Sequence, residues 1–208
     1  MVRRLFLPFR SPYPEQKRKG LVQPPFFSVF RSGPTCPGCH GDPQARMALV
    51  IRNTQKVVPL RRARLGRDVQ ALRHLLGLGR FDLGLVCVDD QRMRALNGRY
   101  RGQEAATDVL SFPFHEDLRA GDIPKPLHHD DYNLGDIFFG VEYIYRESQA
   151  HRQDFYNVTA LHGICHLLGY RHSTEAEWKQ MLQKESDTLQ LFNRFTGARL
   201  QPLMLNTT

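Results

Sequence analysis

Leu161-His162-Gly163-Ile164-Cys165-His166-Leu167-Leu168-Gly169-Tyr170-Arg171-His172 places three histidines at i, i+4 and i+10. On a helix, His162 and His166 lie one turn apart and point the same way. Gly169 lets the chain leave that helix through a left-handed conformation. His172, just beyond, can then fold back toward the first two. Three imidazoles converging in this way leave one corner of a tetrahedron open, which is the design of a catalytic zinc site. Structural zinc sites close with four protein ligands, and no fourth is evident in this stretch.

The spacing follows the metzincin protease pattern H-E-x-x-H-x-x-G-x-x-H at every ligand and at the glycine. It departs at the residue after the first histidine, which is Gly163 here and the general-base glutamate there. The metal cage is kept and the proteolytic base is gone, which counts against a peptidase. Cys165 projects about a third of a turn away from His166 and reads as a small buried residue, not as a fourth ligand.

A chain of 208 residues suits one domain with a tail. No apolar run approaches the ~20 residues that span a bilayer. Residues 1–46 carry eight Lys and Arg against two acids, so most of the +8 net charge sits there and the remainder is nearly neutral. Contact with nucleic acid therefore has to come from a local patch, not from a bulk basic field. The same 46 residues hold eight of the 13 prolines, a density that predicts a disordered extension. Its acid-free opening, Met1 to Arg10, resembles a mitochondrial transit peptide, although Pro8 interrupts any helix, and Met47 is an alternative start. Cys36-Pro37-Gly38-Cys39-His40 has the form of a haem attachment motif but lacks a pocket-forming context. Four cysteines in a chain of this length do not make a disulfide framework, and Cys87 and Cys165 read as buried thiols.

From Met47 the texture changes. Leu49–Ile51 is a short strand, and Val69, Leu72, Leu75 and Leu76 predict a helix over about 67–76 behind a basic turn (Arg61, Arg62, Arg64). Phe81–Val88 is a strand, followed by a helix capped by Asp89 or Asp90 and running to about Tyr100. Thr107–Pro113 and Leu134–Gly140 are two more strands, separated by a polar loop whose His115, His128 and His129 lack ligand spacing. Helices follow near 141–150 and 155–168. Thr174 and Glu177 form a capping box opening a last helix that ends near Gly197. The order β-α-β-α-β-β-α-α-α predicts one mixed α/β layer structure.

Asn97-Gly98-Arg99-Tyr100-Arg101, Thr107-Asp108-Val109-Leu110-Ser111-Phe112-Pro113, Leu134-Gly135-Asp136-Ile137 and the histidine stretch together resemble the YbeY family of endoribonucleases, in a vertebrate mitochondrial-type form. The resemblance covers 47 to about 200, leaving 1–46 as an extension and 201–208 as a tail. It implies an α+β domain, a four-stranded mixed sheet surrounded by about five helices. It also implies one Zn2+ held by His162, His166 and His172, with Arg101 as the arginine that binds and acts on substrate. The implied substrate is single-stranded RNA, in rRNA maturation and small ribosomal subunit assembly with ribosomal proteins as partners, and with neither DNA nor membrane. Arg171 stands where the family often has Asp, so one carboxylate beside the last ligand is missing.

In that reading His162 and Arg101 carry the chemistry of phosphodiester hydrolysis. Asp108 and Asp136 are candidates to hydrogen-bond the ligands from behind, or else to cap strands and turns. The competing reading from a different class is a ribosome-assembly binding factor whose metal is only structural.

Overall fold

The computed structural model describes residues 48–151 and 155–203. The extension, with its presequence-like opening and Cys36–Cys39–His40, lies outside them. Two strands are apolar at almost every position, β2 (Asp82–Val88) and β4 (Asn133–Gly140). A strand of that kind is buried on both faces and belongs in the middle of a sheet. They are indeed the central pair. β1 (Leu49–Asn53) lies outside β2 and β3 (Val109–Pro113) outside β4, giving the order β1-β2-β4-β3. β1, β2 and β4 run parallel, and β3 is antiparallel to β4. The sheet is mixed and four-stranded, as expected.

Five helices surround it: α1 (Arg62–Leu75), α2 (Asp90–Arg101), α3 (Val141–His151), α4 (Phe155–Leu167) and α5 (Glu175–Thr196). Alternation along β4 sends Ile137 and Phe139 into the main core, where residues of α1, α4 and α5 meet them. Phe138 points the other way and joins Val86, Val88, Leu110 and Met93 under α2. The sheet thus has α4 on one face and α2 on the other. Of the 13 residues of α4, 11 are buried, so this helix runs through the core and not over the surface. Among the described residues no helix is long and apolar enough to cross a membrane.

The helix ends follow local chemistry. Asp89, not Asp90, caps α2 by accepting from the Arg92 amide at 2.8 Å, and Gly102 at φ 71° ends it. α1 begins five residues earlier than expected, at Arg62; the basic turn is its first turn. The polar loop between β3 and β4 contains a 3-10 turn at His129–Asp131.

Candidate metal centre

His162 and His166 face each other from successive turns of α4, with their Nε2 atoms 3.1 Å apart. Gly169 ends the helix at φ 79°, and a Cβ there would lie 2.3 Å from the Leu118 carbonyl oxygen, so this position needs glycine twice over. The turn it makes brings His172 back. The ring centroid of His172 is 5.0 Å from that of His166 and 5.5 Å from that of His162. One ligand atom from each of the three histidines falls within 4.8 Å of the others. The capping box fixes the chain directly after the third histidine: the Ser173 and Thr174 amides both donate to Glu177 Oε2 at 3.1 Å.

The far side of each α4 imidazole decides its tautomer. His166 Nδ1 lies 3.0 Å from the Tyr170 carbonyl oxygen, which can only accept, so Nδ1 carries the proton. His162 Nδ1 lies 2.7 Å from Glu185 Oε1 of α5, and both side chains are 1% exposed. Its Nδ1–H donates to that carboxylate. Both Nε2 lone pairs then point at one another across 3.1 Å with no proton between them. Bare lone pairs at that distance repel, and a cation shared between them removes the repulsion. Imidazoles with Nδ1–H bound to a carboxylate or carbonyl are the form in which histidine binds metal. The donor set therefore fits a metal ion.

Electrostatics agree. Burial, then His162 and His172, hold His166 well below the ordinary histidine range. Burial, then His162, bring His172 to about 4. Both stay neutral at physiological pH, as ligands must. The sign for the metal-free chain follows directly. A histidine at 6.5 when unfolded takes up its proton before the folded one does, so stability falls as pH falls from about 6.5 toward 4. For His172, about 4 in place of 6.5 corresponds to roughly 3 kcal/mol. In chelator, Tm should drop across that window and drop less in His172→Asn; equal slopes for the two proteins would show that His172 is not held neutral by the fold.

Arg101 is the last residue of α2 and is half-buried. Its charge contributes to the lowered pKa of both His166 and His172, so its guanidinium lies close enough to be felt by the cluster. α2 crosses the opposite face of the sheet, and its C-terminal end delivers the cation.

The two aspartates are elsewhere. Asp108 accepts from Thr107 Oγ1 at 2.9 Å and from the Val109 amide at 2.8 Å, a local turn at the start of β3. Asp136 shares strand parity with Phe138 and so lies on the α2 face, its carboxylate beside Gly84. Burial raises its pKa, partly opposed by Arg52. Neither backs a ligand; strand alternation turns Asp136 away from α4. The carboxylate behind His162 is Glu185, which the sequence reading passed over.

Other candidates also resolve. Among the described residues the three histidines are the one group of three or more metal-type side chains. His115 Nε2 instead lies 3.0 Å from the Asp131 carbonyl oxygen. Cys165 is fully buried outside the cluster, its thiol pushed well up by burial and then by Glu185. Burial likewise pushes Cys87 up to about 12. Gly163 faces the sheet: a Cβ would lie 3.0 Å from Ile137 Cδ1 and 3.3 Å from Ser111 Oγ, and that hydroxyl donates to the Gly163 carbonyl at 3.2 Å. The position of the protease base therefore faces packing against β3 and β4.

The family described as Endoribonuclease YbeY matches residues 51–193. Human Endoribonuclease YbeY is 54% identical over 159 residues, spanning 76% of this chain and 95% of the human protein. Endoribonuclease YbeY of Thermus thermophilus is 36% identical over 139 residues, 64% of this chain and 91% of that one. The solution structure of TM1509 from Thermotoga maritima superposes with a TM-score of 0.42 at 18% identity, covering 74% and 99% of the two chains.

Proposed function

Because this chain belongs to the YbeY endoribonuclease family, we propose that it is a zinc-dependent endoribonuclease cutting single-stranded RNA. Its place is rRNA maturation and small ribosomal subunit assembly, with ribosomal proteins as partners, in the mitochondrion. The catalytic unit is 47–200, with 1–46 as a transit peptide or an extension skipped by starting at Met47, and 201–208 as a tail. The observation that carries the reading is the pair of Nε2 lone pairs set 3.1 Å apart, with their Nδ1 protons tied back to Glu185 and Tyr170.

His162, His166 and His172 would hold the ion. When bound, zinc supplies Lewis acidity and lowers the pKa of water toward neutrality. The chain does the rest. Glu185 keeps His162 in one tautomer and orientation, and the Tyr170 carbonyl does so for His166. With His166 and His172 held neutral, Arg101, close enough to depress both, supplies positive charge beside the cluster. Its planar fork suits two non-bridging phosphate oxygens and stabilises the charge that builds there. Leu161 and Ile164, on the same helix, are fully buried in the main core.

Cleavage of a single-stranded RNA by the zinc-loaded chain, beside His162→Ala prepared identically, tests this. Zinc near one per chain with cleavage in the unaltered protein, and loss of both in the variant, is the expected result. Equal residual cleavage in the two would sink the nuclease reading and leave an assembly factor with a structural metal.

A further inference from the structure

We propose a second RNA-binding site, remote from the metal, in the cleft where the start of α1, α3 and the start of α4 meet. It takes a single-stranded nucleotide, with the base against tyrosine and the phosphate on arginine. The inference deepens the nuclease reading and rests on it.

The cleft has a volume of about 280 Å³, near the lower end of small-molecule pockets. Tyr145 and Tyr156 stand in its lining over an apolar bed that includes Leu60. Tyr145 is 44% exposed, a large aromatic surface left open to solvent. Aromatic faces of this kind accept bases of any sequence by stacking. Arg61 and Arg64 line the same cleft. They belong to a run (Arg61, Arg62, Arg64, Arg67) around the first turn of α1, which has no acidic residue and no side-chain cap. Cations at that end oppose the helix dipole, so the arrangement is unfavourable for the helix alone. A phosphate placed there meets the guanidinium groups and the positive end of the dipole together. The one acid in the lining, Asp68, accepts from Asn157 Nδ2 at 3.0 Å and pairs with Arg64 at 3.7 Å, so a phosphate there shares Arg64 with it.

The position suits a nuclease. Asn157 lies on the helix that carries the ligands, five residues before His162, or about 7.5 Å along the axis and well round it. The cleft is thus separate from the metal centre but within reach of an RNA strand that continues past the cut. The near-neutral charge of the folded part makes such a local patch necessary for RNA affinity.

The test is fluorescence anisotropy with a labelled single-stranded RNA of about 20 nucleotides, longer than a typical single-strand site of ~4–16. It uses the zinc-loaded full chain, Arg61→Ala/Arg64→Ala and Tyr145→Leu. Loss of two phosphate contacts should flatten the slope of log K against log salt by roughly 1.4. Tyr145→Leu should weaken binding about tenfold with the salt slope unchanged, since stacking carries no counterions. Tyr145 is exposed, so this variant keeps the idea testable if the arginine pair disturbs α1. Unchanged Kd and slope in both variants, with the unaltered chain still cleaving RNA, would overturn the cleft alone. Absence of both binding and cleavage in the unaltered chain would overturn the nuclease reading with it.

Discussion

Arg101→Ala is expected to lower kcat for RNA cleavage by roughly 10²–10³-fold, the scale set by removing one group that stabilises transition-state charge. Zinc content should stay near that of the unaltered chain, because Arg101 supplies no ligand atom to the histidine cluster. Arg101→Lys should recover only part of the loss, since an ammonium restores charge but not the two-pronged geometry. Stability should change little. Arg101 ends α2, where a cation favours the helix by about 0.3–1 kcal/mol, and that contribution is lost with it. One further sign is fixed. The guanidinium helps to depress His166 and His172, so its removal lets both pKa values rise toward the ordinary range. Steady-state kinetics with metal analysis on the same samples decide the matter. If zinc falls in step with kcat, Arg101 supports the metal site and does not act on phosphate.

Glu185→Gln is expected to weaken zinc binding by about 10–100-fold, the usual range for losing the group behind a ligating imidazole. The amide keeps an oxygen for the His162 Nδ1–H but gives up the charge that makes the imidazole a better donor. Glu185→Ala should be worse, because it leaves a buried N–H without an acceptor at a further cost of about 1–3 kcal/mol. Glu185 sits at 1% exposure in the core, so a stability effect will accompany either change. The two are separable. Competition with a chromophoric chelator reads affinity, and urea unfolding of the metal-free chain reads packing. A lower urea midpoint with unchanged zinc affinity would make Glu185 a packing residue only.

Much of the site is legible in the sequence, because its geometry is local. The i, i+4 pair on a helix, the glycine that ends it and the capping box that restarts the chain all act within a few residues. The order of strands and helices is legible for the same reason. What fails is whatever depends on which face of the sheet a helix covers. Asp108 and Asp136 read equally as partners for the histidines and as caps of strands and turns, because they flank strands in the right neighbourhood. Only the pairing of Ile137 with α4 shows that Asp136 must face away. Glu185 lies far from the histidines in sequence, yet a signal for it was present. It is four residues after Met181 and four before Leu189, in the middle of the apolar stripe of α5. A carboxylate in such a stripe is expensive to bury unless something receives it, and a histidine is the partner it found.

The contact made by Gly163 reaches beyond this molecule. Its carbonyl and missing side chain let α4 rest directly on Ser111 and Ile137. Any side chain there would need Ile137 and Ser111 to give by a few tenths of an ångström, so the packing between helix and sheet is tuned to glycine. The residue that separates the two hydrolase chemistries sharing this histidine spacing is therefore, in this chain, also a packing residue. A change of residue at 163 is thus also a change in how the helix meets the sheet, so the spacing can be shared without the reaction coming with it.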